Sequence, residues 1–169
     1  LENKCMSLVD IVKEVKLLLK SYEDEYKVKI PLIAAGGIRT RHDIIQLKEA
    51  GADGFQIASL FVPTLECDAH QNFKSAYINA SDDKISIIKS PVGMPGRAIE
   101  TNFLTRGKSI IKNCYRCMPG CNPKEIPYCI SEGLINSVEG RDGLVFSGAN
   151  IGHVNKMTCV KEVINNLIG

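Results

Sequence analysis

Residues 28–61 read VKIPLIAAGGIRTRHDIIQLKEAGADGFQIASLF, and this stretch decides the fold. Ile30 to Ala35 is a short apolar run that ends on the pair Gly36-Gly37. In the next segment Ile44, Ile45, Leu47 and Ala50 recur at helical spacing. A Gly-Ala-Asp-Gly turn follows, then a second apolar run from Phe55 to Leu60. Strand, glycine turn, helix, tight turn and strand make one βαβ unit, whose strands lie parallel and side by side through a right-handed crossover.

Parallel neighbours bring their C-terminal ends to one edge, so Gly36-Gly37 and Ala58-Ser59 are expected together there. Glycines let backbone N–H groups approach an anion closely, and the N-terminus of a following helix favours negative charge. Two such strand ends form the phosphate cup after the last strands of many βα barrels. The expected phosphate-holding residues are therefore Ala35, Gly36, Gly37, Ala58 and Ser59. Arg39, Arg41 and His42 follow the glycines, either to neutralise a phosphate or as a solvated helix start capped near Thr40 or His42. Asp43 complements the helix dipole, and Gln56 either points into the barrel or makes a buried hydrogen bond.

IPLIAAGGI, GADGFQIASLFV and SPVGMPGRAIETNFL (residues 90–104) occur in that order. Together they resemble the flavin-mononucleotide-binding end of the nitronate monooxygenase (2-nitropropane dioxygenase) family, whose barrel is shared by enoyl-acyl-carrier-protein reductase II. The resemblance implies an α/β fold: the C-terminal part of a (βα)8 TIM-type barrel that binds FMN, plus a small appended α/β segment. It implies residues 1–80 as the last βα units with the FMN phosphate site, and 81–169 as the appended domain. It also implies oxidation of alkyl nitronates, with a nitronate or similar small molecule as substrate. The family's active-site histidine belongs to a Gly-rich motif that this chain lacks, so no catalytic residue is assigned. The family commonly reads Gly-Thr-Arg-Phe or Ala-Thr-Arg-Phe where this chain reads Ala58-Ser59-Leu60-Phe61. Serine keeps the hydroxyl, whereas Leu60 removes a charge that would pair with phosphate.

The 169 residues suffice for one sizeable core but fall short of the about 250 of a whole barrel. A C-terminal half is expected, completed by a missing N-terminal half or by self-association, and inactive alone. The net charge of +2 gives no field for nucleic acid or membrane. No apolar run approaches the roughly 20 residues of a membrane span. The seven scattered cysteines suit a reducing cytoplasm better than a disulfide framework.

Outside the βαβ unit, Ser7 to Lys20 reads as an amphipathic helix capped by Ser7, and Ser21 to Lys27 as a charged connection. Thr64 to Ala80 reads as a helix with Phe73, Ala76 and Tyr77 on its core face; Glu66 and His70 at i, i+4 are too few for a metal centre. Ile85 to Ile88 is a strand, Ser90 to Gly96 a Pro- and Gly-punctuated loop, and Arg97 to Leu104 helical. In the relatives a segment like residues 90–104 approaches the active site, so either Met94 or Arg97 lies near the substrate side of the flavin or the segment is a structural loop connecting the barrel to a small extra domain. Tyr128 to Val138 and Lys156 to Ile168 are helices. Between them lies the apolar run Gly143 to Gly148; Ser147-Gly148-Ala149-Asn150 either returns to the flavin mouth, as relatives suggest, or is a turn. His153 caps a loop.

Cys114, Cys117, Cys121 and Cys129 occur as C-x2-C-x3-C-x7-C in NCYRCMPGCNPKEIPYC. Four thiols so close could hold zinc or an iron–sulfur cluster. The spacing fits neither the ferredoxin run nor a two-knuckle zinc ribbon, so free thiols in a compact loop are expected and no metal ligand is assigned. The readings from other classes are an enoyl reductase, a non-enzymatic metal-binding module on this loop, and a barrel that binds a sugar phosphate.

Overall fold

The structure, a computed structural model, describes residues 6–107, 111, 114–149, 151, 152 and 154–169. Asn150 and His153, named above, lie outside the described residues. The chain divides into two compact units, Leu1–Ala58 with Lys161–Gly169, and Ser59–Val160. Among the described residues no helix is long and apolar enough to cross a membrane.

The first unit opens with α1 (Leu8–Tyr26), N-capped by Ser7, whose hydroxyl accepts from the Asp10 N–H. The helix runs through the segment expected to be a charged connection. Tyr22 and Tyr26, one turn apart, stack with ring centroids 6.5 Å apart, and the left-handed Lys27 (φ 53°) stops the helix. Contacts between neighbouring turns carry α1 beyond the end of its apolar stripe. β1 (Ile33–Ala35) leads through Gly36-Gly37 to α2 (Arg41–Glu49) and then β2 (Gly54–Gln56). The strands pair in parallel, Ile33 with Gly54 and Ala35 with Gln56, as the βαβ reading requires. Both are shorter than the apolar runs that predict them: the second run leaves the ladder after Gln56 and turns at Ser59-Leu60. Gln56 is exposed, so it makes no buried hydrogen bond. Val12, Ala34, Ile38, Leu47, Ala50 and Ala52 form the buried core of this unit.

Asp53 ties the unit together at the start of both strands. Its carboxylate accepts from the Leu32 N–H (2.9 Å) and lies 3.2 Å from the Lys16 and 3.3 Å from the Lys29 ammonium; its own N–H donates to the Leu32 carbonyl (2.7 Å). The Leu32 N–H, and then Lys16, hold the carboxyl down at about 2 against desolvation. The folded value is depressed, so the stabilisation is complete above the ordinary value of 3.8 and disappears as pH falls through about 2. Asp53→Asn is expected to lower the melting temperature at neutral pH. That difference should shrink between those two values in a melting series against pH; a pH-independent difference would contradict the assignment.

The second unit holds α3 (Gln71–Ile78), a 3-10 turn (Asp82–Lys84), β3 (Ile85–Ile88), β4 (Gly96–Ile99), α4 (Asn102–Thr105) and α5 (Ile130–Val138). The segment from Arg97 is therefore strand first and helix only from Asn102. β4 pairs antiparallel with β3, Ile85 opposite Ile99 and Ile88 opposite Gly96. Residues 145–147 join the other side of β4 through the Ile99 N–H to Val145 carbonyl (2.9 Å) and Ser147 N–H to Arg97 carbonyl (3.0 Å) bonds.

The helix expected from Thr64 begins only at Gln71. Thr64 instead bridges Thr158 in a short parallel contact, and both Glu66 oxygens accept from the Val160 N–H at 3.0 Å. Glu66 and His70 therefore do not share a helix face; Glu66 instead caps the start of α6 (Val160–Ile168). Two cores fill the unit. Tyr77, Ala80, Ile99, Val145 and Ile151 form one, with Phe73 and Ala76 packed against it; Ala98, Phe103, Tyr128 and Leu144 form the other.

Candidate functional site

The turn after β1 is the most unusual backbone of the first unit. Gly36 and Gly37 are consecutive residues with φ of +96° and +69°, and a Cβ at either would meet nothing within 4 Å. Space is not what demands glycine here. The backbone conformation demands it, because side-chain-bearing residues rarely adopt this region. The outcome is two exposed glycines beside open space at the C-terminal end of a parallel strand. Ala35 is exposed at the same point, and Ala58, also exposed, lies two residues past the end of β2 on the same sheet edge.

The start of α2 is the capped helix start expected near Thr40, with Asp43 in its first turn. Thr40 is its N-cap, and Thr40 and Asp43 form a capping box. The Asp43 carboxylate accepts from the N–H groups of Arg39 (3.0 Å) and Thr40 (2.8 Å), and the Thr40 hydroxyl accepts from the Asp43 N–H (3.2 Å). Burial pushes the Asp43 carboxyl up, but the Arg39 and Thr40 N–H groups, the Thr40 hydroxyl and the Arg39 charge outweigh it and hold it below the usual value. Asp43 is thus an ionised cap, and its negative charge sits where the helix end would otherwise attract an anion. Any anion at this edge relies on the glycine turn. Arg41 is also committed, its guanidinium donating to the Gly169 carbonyl. Arg39 differs: its Nε is buried and has no hydrogen-bond partner among the described residues. A buried guanidinium nitrogen without an acceptor is costly, and one beside a turn of exposed glycines suits a ligand oxygen.

Ser59 belongs to the second unit, where its hydroxyl accepts from the Gly148 N–H at 3.0 Å. The structure thus brings Ser59 and the Ser147-Gly148 turn together, a pairing of residues far apart in sequence that no local pattern reveals. The hydroxyl of Ser147 is buried without a hydrogen-bond partner among the described residues. Met94 is exposed on its loop, while Arg97 is half-buried within β4.

The cysteines of the 114–129 segment line a single cavity of about 110 Å³ together with Arg116, Met118 and Ile126. Burial and the neighbouring thiols of Cys114, Cys117 and Cys129 push the Cys121 thiol up. All six described cysteines are free. Among the described residues no group of three or more His, Cys, Asp or Glu is arranged as a ready-made metal centre.

A family model described as nitronate monooxygenase matches residues 2–169. A probable nitronate monooxygenase of Staphylococcus saprophyticus is 30% identical over 78 residues, which cover 46% of this chain and 22% of the relative. The fold is similar to nitroalkane oxidase from Streptomyces ansochromogenes, with a TM-score of 0.63 at 21% identity over 96% of this chain and 42% of that one. It is also similar to the enoyl reductase domain of MlnA from the macrolactin biosynthesis cluster of Bacillus amyloliquefaciens, with a TM-score of 0.67 at 16% identity over 89% of this chain and 48% of that one. The chain thus spans less than half of each solved relative, and the two likenesses establish a shared fold.

Proposed function

The chain belongs to the nitronate monooxygenase family, and on that premise we propose that it carries the phosphate-holding part of an FMN-dependent oxidoreductase that oxidises alkyl nitronates. The observation that carries this reading is the glycine turn: consecutive left-handed Gly36 and Gly37 beside open space. The unpartnered Nε of Arg39 two residues on supports it. These residues fit a terminal phosphate. The Gly36 and Gly37 amides would donate to its oxygens and Arg39 would offset its charge, while Ala35 and Ala58 keep the edge free of bulk. Ser59, in the second unit, retains a proton to donate while it accepts from the Gly148 N–H, and on the family likeness alone it is proposed as a separate flavin contact.

When bound, the flavin supplies the redox chemistry; the residues of this chain bind, orient and neutralise. No base is assigned to the chain. Residues 1–80 are proposed as the closing βα units of a TIM-type barrel and 81–169 as its appended segment. The partner implied is the rest of the barrel or a second copy.

The test is a visible-absorption titration of the purified chain with FMN and, in parallel, riboflavin. A phosphate cup predicts perturbation of the flavin bands by FMN and at least about tenfold weaker binding of riboflavin, the loss of one charge-assisted contact set. Gly37→Val should abolish the FMN preference, because valine at φ +69° costs roughly 1–3 kcal/mol of backbone strain and covers the amides. Equal affinity for both flavins would overturn the reading. NADH oxidation with an enoyl thioester, and none with a nitronate, would move the same cup to an enoyl reductase.

A further inference from the structure

We propose that Cys114, Cys117, Cys121 and Cys129 close around their shared cavity to hold one zinc ion as four thiolates. The proposal is independent of the flavin reading and rests on the loop itself. Between Thr105 and Ile130 the described residues contain no helix or strand. Residues 114–129 form a continuous run of this kind, uncommon in length inside a compact unit, and ordering it opposes folding. The backbone bonds within residues 114–126 are few and local: Cys121 N–H to Met118 carbonyl (3.4 Å), and Glu125 and Ile126 N–H to Asn122 carbonyl (3.0 and 3.2 Å). Yet the segment brings all four of its thiols to the walls of one cavity of about 110 Å³. Cys67 and Cys159, the other described cysteines, do not line it. A metal cross-link is a physical means of fixing such a loop, because the free energy of binding becomes free energy of ordering.

The backbone suits convergence. Arg116 (φ 49°) immediately precedes Cys117, and Gly120 (φ 78°) immediately precedes Cys121. A left-handed residue at each point reverses the chain and returns the next thiol toward the last. Met118, Pro123 and Ile126 line the rest of the cavity with apolar surface, which keeps water from competing for a soft ion. Ser131, on α5, donates its hydroxyl to the Cys117 sulfur at 3.1 Å; this is the kind of outer contact that steadies a thiolate ligand. Arg116 lines the same cavity, and its charge offsets part of the excess of four thiolates over one dication.

The thiols do not already stand in ligand geometry, so the ion must draw them to about 2.3 Å. Each thiol that binds releases its proton to solvent, and its sulfur lone pair forms the bond to metal. No oxidant or reductant takes part. Zinc is favoured over an iron–sulfur cluster because the site then needs no inorganic sulfide.

The experiment is a cobalt(II) titration of the reduced, metal-free chain, read by visible absorption and by protection of thiols from a thiol-reactive dye. Tetrahedral thiolate bands should grow to one ion per chain and vanish when zinc is added. Cys121→Ser should weaken binding by more than about 100-fold, beyond the loss of an outer contact, and Ser131→Ala by about 10-fold with the bands retained. Cys67→Ser should change nothing. Because a serine in the loop could disturb its folding, Ser131→Ala and the unaltered chain carry the test by themselves. Absence of tetrahedral bands in the unaltered chain would overturn the proposal. So would bands that survive Cys121→Ser unchanged, or purified protein carrying iron with labile sulfide.

Discussion

Gly143→Ala is expected to destabilise the second unit by about 3 kcal/mol, the upper end of what overpacking costs. A Cβ at this position would lie 2.4 Å from the Gly133 carbonyl oxygen and 2.6 Å from both the backbone nitrogen and the hydroxyl of Ser137. Two of these three atoms are α5 backbone, so no rotamer change relieves the contact. The surrounding bonds all depend on that closeness. The Leu144 N–H donates to the Gly133 carbonyl (2.9 Å), the Ser137 hydroxyl to the Leu144 carbonyl (2.8 Å), and the Thr101 hydroxyl to the Gly143 carbonyl (2.8 Å). Pushing residues 143–145 away breaks them and leaves the buried Ser137 hydroxyl with only the Gly133 carbonyl (3.1 Å) as acceptor. Gly143 does not have a positive φ, so the effect is one of packing. A urea melt followed by far-ultraviolet circular dichroism measures it, and a loss below about 1 kcal/mol would contradict the close approach.

Phe103→Ala is expected to cost about 3–5 kcal/mol, the range for removing a fully buried aromatic side chain. Phe103 is 1% exposed. Its ring meets Tyr128 edge-on with centroids 5.5 Å apart, and the Arg106 guanidinium lies 4.6 Å above it. The same ring explains Gly133 in α5: a Cβ there would lie 2.9 Å from two ring atoms and 2.9 Å from Leu144. Gly133→Ala should therefore destabilise although alanine favours helix by about 1 kcal/mol. In the Phe103→Ala background the ring atoms are gone, and two of the three close contacts go with them. The two losses should then be less than additive, with a coupling of about 0.5–3 kcal/mol in a double-mutant cycle. Strict additivity would show that the ring and Gly133 do not touch.

Local pattern made the βαβ unit legible, because the apolar runs, the glycine pair and the helical period all lie within residues 28–61 and agree with one another. Where the reading failed, distant partners decide. Arg97 to Ile99 reads as helix by residue type but becomes a strand because Ile85 to Ile88 lies on one side and residues 145–147 on the other. Thr64 to His70 loses its helix to the Thr158 bridge and to Glu66's hold on Val160. In the glycine turn, sequence named the residues but could not show that Asp43 would be drawn back to cap Arg39 and Thr40. The favourable helix end is thereby removed and Arg39 Nε is left as the unpartnered donor. The meeting of Ser59 with Gly148, 89 residues apart, has no sequence signal in a single chain.

The stitch between residues 63–66 and 158–160 governs the order in which the chain can assemble. It consists of the Thr158 N–H to Pro63 carbonyl bond (3.1 Å), the Leu65 N–H to Thr158 carbonyl bond (2.9 Å) and the Glu66 cap on Val160. Closing a loop of this length opposes pairing through chain entropy, so the stitch is reached only after the intervening elements have shortened the path. Yet residues 161–169, with buried Val163 and Leu167, belong to the unit that the first 58 residues begin. During synthesis this unit therefore waits for residues 161–169 before it is complete. Until then it is an unfinished fold, with the apolar side chains of α1 and β1 in reach of chaperones.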